Sequence, residues 1–226
     1  MNYPTSRLLV FTRAPRTGQV KTRLIPQLGP QGAADFHARL IHHCLQIVTR
    51  AGLCPVELWC APSCHDPFFQ DCRERYGVEL YDQAQGELGE RMHKALGSAL
   101  ARAESAVLVG TDIPSIEAAD LDTAFQSLQQ GKDAVVGPAR DGGYYLIGLK
   151  QPNRWLFEGI SWGTSTVFQE TLSRLQQLEM DWLSLREHAD VDTPDDYQRL
   201  PEAIRLAAGS GNPGLRGQGG PALNGN

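Results

Sequence analysis

The chain has 226 residues, of which 41% are apolar and 21% charged, so collagen-like, coiled-coil and wholly disordered classes are excluded and one domain is the expectation. The net charge of −5 argues against a broad nucleic-acid-binding surface. No apolar run approaches the roughly 18 residues of a membrane span.

The opening segment MNYPTSR carries neither a basic leader nor an A-x-A cleavage pattern, and a cytoplasmic location is expected. Short apolar runs then alternate with amphipathic stretches. Strands are predicted at 8–12, 56–61, 78–81, 106–110, 133–137, 144–149 and 181–185, each a β-branched or aromatic run flanked by Gly, Pro or Asp. Helices are predicted at 31–51, 66–76, 88–103, 117–130, 165–178 and 194–206. Phe36, Leu40, Ile41, Cys44, Leu45 and Val48 recur at helical spacing in the first of these, before Gly52 as its stop signal. The βαβα order, with strands apolar on both faces, implies a three-layer α/β/α domain over residues 1–208 with a mostly parallel sheet. Residues 209–226 are dominated by Gly, Asn and Pro and read as a flexible tail that adds nothing to the core. The cysteines Cys44, Cys54, Cys60, Cys64 and Cys72 form no CxxC pair and fit no zinc template.

Charge is unevenly distributed. Arg7, Arg13, Arg16, Lys21 and Arg23 all precede the first acidic residue, Asp35, whereas Glu187–Asp196 holds five carboxylates and no Lys or Arg. Chance clustering on solvated faces explains this as well as an anion site and a cation site joined by the fold. In open parallel sheets ligands bind beyond the carboxyl ends of the strands, so the loops there are the candidates.

TRAPRTGQVKTRL (12–24) combines Gly18 with Arg13, Arg16, Lys21 and Arg23, a composition suited to phosphate oxygens, although Arg13 and Arg16 taken singly can equally be solvated charges. VLVGTDIPS (107–115) sets Asp112 after a buried strand, where it is either a ligand for Mg²⁺ or a helix cap. In GPARDGGYYLIGL (137–149), Asp141, Gly142 and Gly143 form a hairpin turn, a site, or both. In ADVDTPDDY (189–197), alternation along an extended chain would let only one of Asp190 and Asp192 face a site, and Thr193 or Asp192 would cap a helix from Pro194. The six histidines lie mostly in predicted helices or at their edges and read as surface or partly buried neutral residues.

Residues 7–200, through FTRAPRTGQVKTRL, GTDIPS, GPARDGGYYLIGL, ISWGTST and DVDTPDDY, resemble the radical-SAM/selenodomain-associated transferase 1 family of glycosyltransferases. That family lies within the nucleotide-diphospho-sugar transferase superfamily, of the A-type glycosyltransferase fold, and is similar to 2-phospho-lactate guanylyltransferase. The first loop differs from the LAAGxGxRM loop of nucleotidyltransferases, having ArgAlaPro in place of AlaGly. The resemblance implies Asp112 and Asp192 as ligands for Mg²⁺ or Mn²⁺. It implies Arg13, Arg16, Gly18, Lys21 and Arg23 as the phosphate loop, with Lys21 and Arg23 foremost, and Asp141, Gly142 and Gly143 as the acceptor-side turn. The catalytic set would be Asp112, Asp141 and Asp192, with Asp141 a base or a hydrogen-bonding residue for an acceptor hydroxyl. The substrates implied are a nucleotide sugar and a small-molecule acceptor. The alternatives are a guanylyltransferase-like enzyme joining an NTP to a phosphorylated acceptor with release of pyrophosphate, and a non-catalytic nucleotide-binding subunit.

Overall fold

A computed structural model describes residues 1–206. The expected tail at 209–226 lies outside the described residues. Seven strands form one sheet: β1 (Ser6–Arg13), β2 (Val56–Ala61), β3 (Glu79–Asp82), β4 (Ser105–Gly110), β5 (Ala134–Pro138), β6 (Tyr144–Leu149) and β7 (Trp182–Ser184). Their order is β3-β2-β1-β4-β6-β5-β7, and β6 alone runs antiparallel to its neighbours β4 and β5. All seven predicted strands form, with ends shifted by one or two residues at most, because each apolar run is short and bounded by turn residues.

The layers follow from side-chain alternation in β1, which lies between β2 and β4. Leu8 and Val10 face one side, against α1 (Ile25–Ala51), α2 (Pro67–Tyr76) and α4 (Ala118–Gln129). Leu9 and Phe11 face the other, against α3 (Leu88–Leu100) and α5 (Val167–Gln177). This is the α/β/α arrangement with a mostly parallel sheet that the sequence implies.

Local chemistry sets the helix ends. Gly52 and Gly77 close α1 and α2 in the left-handed conformation, and the Asp66 side chain caps the Phe68 amide at the start of α2. The helix expected at 31–51 begins earlier, at Ile25, and is interrupted where Gly29 leaves helical geometry before Pro30. The helix expected at 194–206 is two, α6 (Pro194–Arg199) and α7 (Glu202–Leu206). Pro201 lacks an amide donor and biases Leu200 to the extended conformation seen there, which ends the first helix.

A third, smaller cluster positions the site. Leu24, Ala33, Phe36, Leu40 and Val191 pack together with Tyr197 and Leu200, so the end of the first loop, the start of α1 and the segment before α6 share one core. Strands β1 and β4 are adjacent, and the chain leaves them toward opposite edges of the sheet, which makes the gap between their carboxyl ends the topological switch point. Among the described residues no helix is long and apolar enough to cross a membrane.

Phe125 on α4 is 1% exposed in the larger cluster. Replacing it by Ala is expected to destabilise the protein by about 3–5 kcal/mol, measured by equilibrium urea unfolding at unchanged denaturant slope.

Candidate functional site

At the switch point the hydroxyls of Thr12 and Thr111 lie 3.2 Å apart, and the loops that follow β1 and β4 start side by side. The first loop turns back through Gly18 and reaches Lys21, whose backbone is left-handed (φ 46°, ψ 42°). For a residue with a side chain that conformation costs about 1–2 kcal/mol and marks a position held by its surroundings. What holds it is plain from the contacts. The Lys21 ammonium, on a side chain only 5% exposed, lies 2.6 Å from Asp112 Oδ1 and 2.7 Å from Asp192 Oδ1, and donates to the Val191 carbonyl at 2.9 Å. The Val191 amide in turn donates to the Asp112 carbonyl at 3.1 Å. Asp112 and Asp192, 80 positions apart in sequence, therefore meet at one cation.

Electrostatics follow from this geometry. Burial pushes the Lys21 ammonium toward losing its proton, but the Asp112 and Asp192 carboxylates outweigh it and hold its pKa above the ordinary value. Burial likewise pushes the Asp112 carboxyl up, and the Lys21 ammonium outweighs it, so the carboxyl sits below the usual range. His37 is buried beside this pair. Its Nε2 is 3.0 Å from the Arg13 carbonyl, a contact that assigns the proton to Nε2 and leaves Nδ1 as an acceptor 3.9 Å from Asp112 Oδ1. Burial keeps this imidazole neutral, although Asp112 pulls the other way.

The donor set fits a hard divalent cation. Two carboxylate oxygens and one backbone carbonyl already converge on a positive charge, and both aspartate side chains remain nearly half exposed, at 47% and 43%, leaving room for water or phosphate oxygens. Among the described residues no group of three or more His, Cys, Asp or Glu forms a metal cage. The protein would supply two carboxylates, the usual contribution to Mg²⁺ bound with a nucleotide.

The remaining candidates are distributed around this centre. Arg13 borders the small cleft of about 280 Å³ at the acidic pair and two further clefts of about 370 Å³ each. Arg23 lines the small cleft too, and also a larger one of about 730 Å³. Arg16 is paired with Asp66 at 3.0 Å, so part of its charge is already matched within the protein. Lys21, expected to touch phosphate, is instead committed to the aspartates here.

Asp141 is exposed and lines both that larger cleft and the one beside Tyr144 and Trp162; its Oδ1 accepts from the Gly143 amide at 2.8 Å. The DGG segment is the β5–β6 turn. A Cβ on Gly142, where φ is +89°, would lie 2.1 Å from the Ser165 carbonyl oxygen, so this glycine serves close packing against the 161–166 segment. The expectation that only one of Asp190 and Asp192 faces the site is corrected: both line the clefts, because residues 189–193 are not a strand and alternation does not apply. Burial, reinforced by Asp141, pushes the Asp190 carboxyl up to about 6.

Two features had no signal in the sequence. His37 is one more residue on the packed face of α1, and nothing in its spacing marks it. Asp120, inside α4, accepts from Arg186 at 2.6 and 3.0 Å and from His188 Nε2 at 3.1 Å, while Ser115 Oγ donates to His188 Nδ1 at 2.7 Å. Burial pushes the Asp120 carboxyl up, but these partners win and hold it below the usual range. His188 is thus a buried connector rather than a surface residue, and it fastens the segment leading to Asp190 and Asp192 onto the start of α4.

Residues 44–164 match the family DUF2064, described as an uncharacterized protein conserved in bacteria. No curated protein matches the chain. Among solved structures, one provisionally assigned as a nucleotide-diphospho-sugar transferase, from Desulfovibrio desulfuricans G20, is 32% identical with a TM-score of 0.77, over 84% of this chain and 83% of that one. The fold is also shared with CMP:2-keto-3-deoxy-manno-octonic acid synthetase complexed with CTP (13% identity, TM-score 0.55, 90% and 98% of the two chains). A third match is Rv0371c of Mycobacterium tuberculosis H37Rv in complex with manganese (17%, 0.53, 88% and 99%).

Replacing Lys21 by Met leaves two carboxylates facing each other without their cation. A carboxyl whose folded pKa is depressed stabilises the fold above its unfolded pKa and loses that contribution as pH falls through the folded value. The variant is therefore expected to be less stable by about 1–2 kcal/mol at pH 7, a charge-assisted contact discounted for half-exposed partners. The gap to wild type should narrow as pH drops below about 4 in thermal melts across pH.

Proposed function

The chain belongs to the DUF2064 family, and from that premise we propose that it is a transferase acting on a nucleotide-activated donor, transferring a glycosyl group from a nucleotide sugar with Mg²⁺ or Mn²⁺ held by Asp112 and Asp192. The observation that carries this reading is the convergence of those two carboxylates on one cation at the switch point of the sheet, beside a first loop rich in Arg and Lys. The likeness to the D. desulfuricans G20 protein supports it at the level of the whole domain.

When bound, the metal would neutralise phosphate charge and stabilise the negative charge that develops on the leaving oxygen. The work left to the chain is positional. Asp112 and Asp192 would hold the cation, and Lys21, which pairs with both, would lie beside the donor phosphate oxygens. Arg13 and Arg23 line the same cleft and would neutralise oxygens the metal does not reach. The acceptor hydroxyl would lie in the cleft bordered by Tyr144 and Trp162, within reach of Asp141 and Asp190, with Asp141 receiving or holding its proton. Direct displacement requires no nucleophilic side chain.

Nucleotidyl transfer, with release of pyrophosphate from a triphosphate, is the second reading. It is favoured by one observation: cationic groups continue past the acidic pair through Arg13 to Arg91. Incubation with Mg²⁺ and a panel of nucleoside triphosphates and nucleotide sugars separates the two. Free nucleoside diphosphate is expected from a nucleotide sugar, and Asp112→Asn or Asp192→Asn is expected to reduce its formation roughly a hundred-fold or more. Pyrophosphate released from a triphosphate would select nucleotidyl transfer. Neither product, from protein that still binds nucleotide, would select the non-catalytic subunit.

A further inference from the structure

Ser115, His188 and Asp120 form one line of hydrogen bonds for which nucleotide transfer has no use. Ser115 Oγ donates to His188 Nδ1 at 2.7 Å, and His188 Nε2 donates to Asp120 Oδ2 at 3.1 Å. The carboxylate acceptor assigns the imidazole proton to Nε2, which leaves Nδ1 free to take the proton of the serine. A nucleophile, its base and the acid that orients the base are recognised by these roles and not by their order along the chain.

Helix capping does not account for the serine. The cap of α4 is Glu117, in a capping box with Asp120, and Ser115 lies two positions before it. The line of bonds runs from inside to outside: Asp120 and His188 are each 6% exposed, whereas Ser115 is open to solvent. Both buried members are held from several sides. Against burial, which pushes the Asp120 carboxyl up, Arg186 and the Glu117 amide keep it ionised. The imidazole stands perpendicular to the Tyr145 ring with 4.9 Å between centroids. Its backbone amide donates to the Pro138 carbonyl at 3.1 Å, and its carbonyl accepts from the Arg140 amide at 3.0 Å. A ring fixed in one orientation beside a hydroxyl meets the geometric requirement for a general base.

The open end of the line faces a cavity. Ser115 lines the cleft of about 730 Å³, whose walls include the apolar Ile47, Ile116, Leu200 and Ile204 and the cations Arg23 and Arg140. That volume suits a small organic ligand. An acyl chain matches the apolar walls. Negative charge that develops on a carbonyl oxygen under attack is favoured by the cations and by the first-turn amides of α4, which begins three residues after Ser115.

We propose that Ser115 is a nucleophile, with His188 as its base and Asp120 orienting the imidazole, and that the protein hydrolyses carboxylic esters at this cleft. Ser115 Oγ attacks the ester carbonyl carbon while its proton passes to His188 Nδ1; the bond from that carbon to the alcohol oxygen breaks, and the alcohol leaves with the proton. Water then attacks the acyl carbon and gives a proton to Nδ1, the bond to Oγ breaks, and Oγ takes the proton back as the carboxylic acid departs. This activity is separate from transfer out of a nucleotide-activated donor and uses neither metal nor nucleotide.

The test is hydrolysis of p-nitrophenyl butyrate in EDTA without nucleotide, together with labelling by di-isopropyl fluorophosphate, read by intact mass and peptide mapping. The proteins compared are the wild type, Ser115→Ala, His188→Gln and Ser173→Ala, the last removing an exposed serine of α5 that does not line the cleft. Wild type and Ser173→Ala are expected to release p-nitrophenol with a saturable rate and to carry one label, on Ser115. Ser115→Ala and His188→Gln are expected to be slower by about a hundred-fold or more and to take up no label. His188 also fastens the segment before Asp190, so Ser115→Ala, which removes only an exposed hydroxyl, keeps the test valid if His188→Gln folds poorly. Unchanged hydrolysis by Ser115→Ala, a label on another residue in place of Ser115, or a wild type that neither exceeds the buffer rate nor takes up label overturns the proposal. Because EDTA and the absence of nucleotide remove metal-dependent transfer from the assay, failure of this proposal leaves the transferase reading standing, and failure of that reading leaves this one standing.

Discussion

Two carboxylates that touch the same point in space repel by roughly 3 kcal/mol at an effective dielectric of about 20, and a fold that brings Asp112 and Asp192 together must supply a cation between them. Lys21 is that cation. Its ammonium is enclosed, its backbone is left-handed to deliver it, and it also holds the Val191 carbonyl, so one group joins the loops after β1 and β4 to the segment before α6. The contact spans 171 positions in sequence. A lysine in this place neutralises the acidic pair, its ammonium 2.6 and 2.7 Å from one oxygen of each aspartate.

The rest of the structure can be understood as what keeps those three residues in register. Neighbouring β1 and β4 place the first and second loops side by side. The small cluster of Leu24, Phe36, Leu40 and Val191 fixes the third partner by apolar packing on the side away from the charges. Farther out, Asp120 draws in Arg186 and His188, so the five-carboxylate stretch is anchored at its start. The capping box between Thr193 and Asp196 anchors it again just after Asp192. Each support acts on a neighbouring residue, which leaves the aspartate side chains half exposed for chemistry.

The sheet and its covering helices were legible because they depend on patterns within ten to twenty residues: apolar runs bounded by Gly and Pro, helical spacing before Gly52, and two-faced burial in β1 and β4. The loops of the candidate site were legible for the same reason, since each follows a recognisable strand. Partnerships were not. That Lys21 would face carboxylates rather than phosphate and that Asp190 would share the cleft with Asp192 both depend on contacts between residues far apart in sequence. The break between α6 and α7 was visible in principle, since Pro201 stands at the boundary, but helical spacing continued across it.

The shared cation position is tested most directly by anomalous diffraction from crystals soaked in Mn²⁺. One manganese peak is expected about 2.1 Å from oxygens of both Asp112 and Asp192, with the Lys21 ammonium withdrawn from both. Manganese absent from this pair while Lys21 keeps its contacts, or bound at a place that uses neither aspartate, would contradict it.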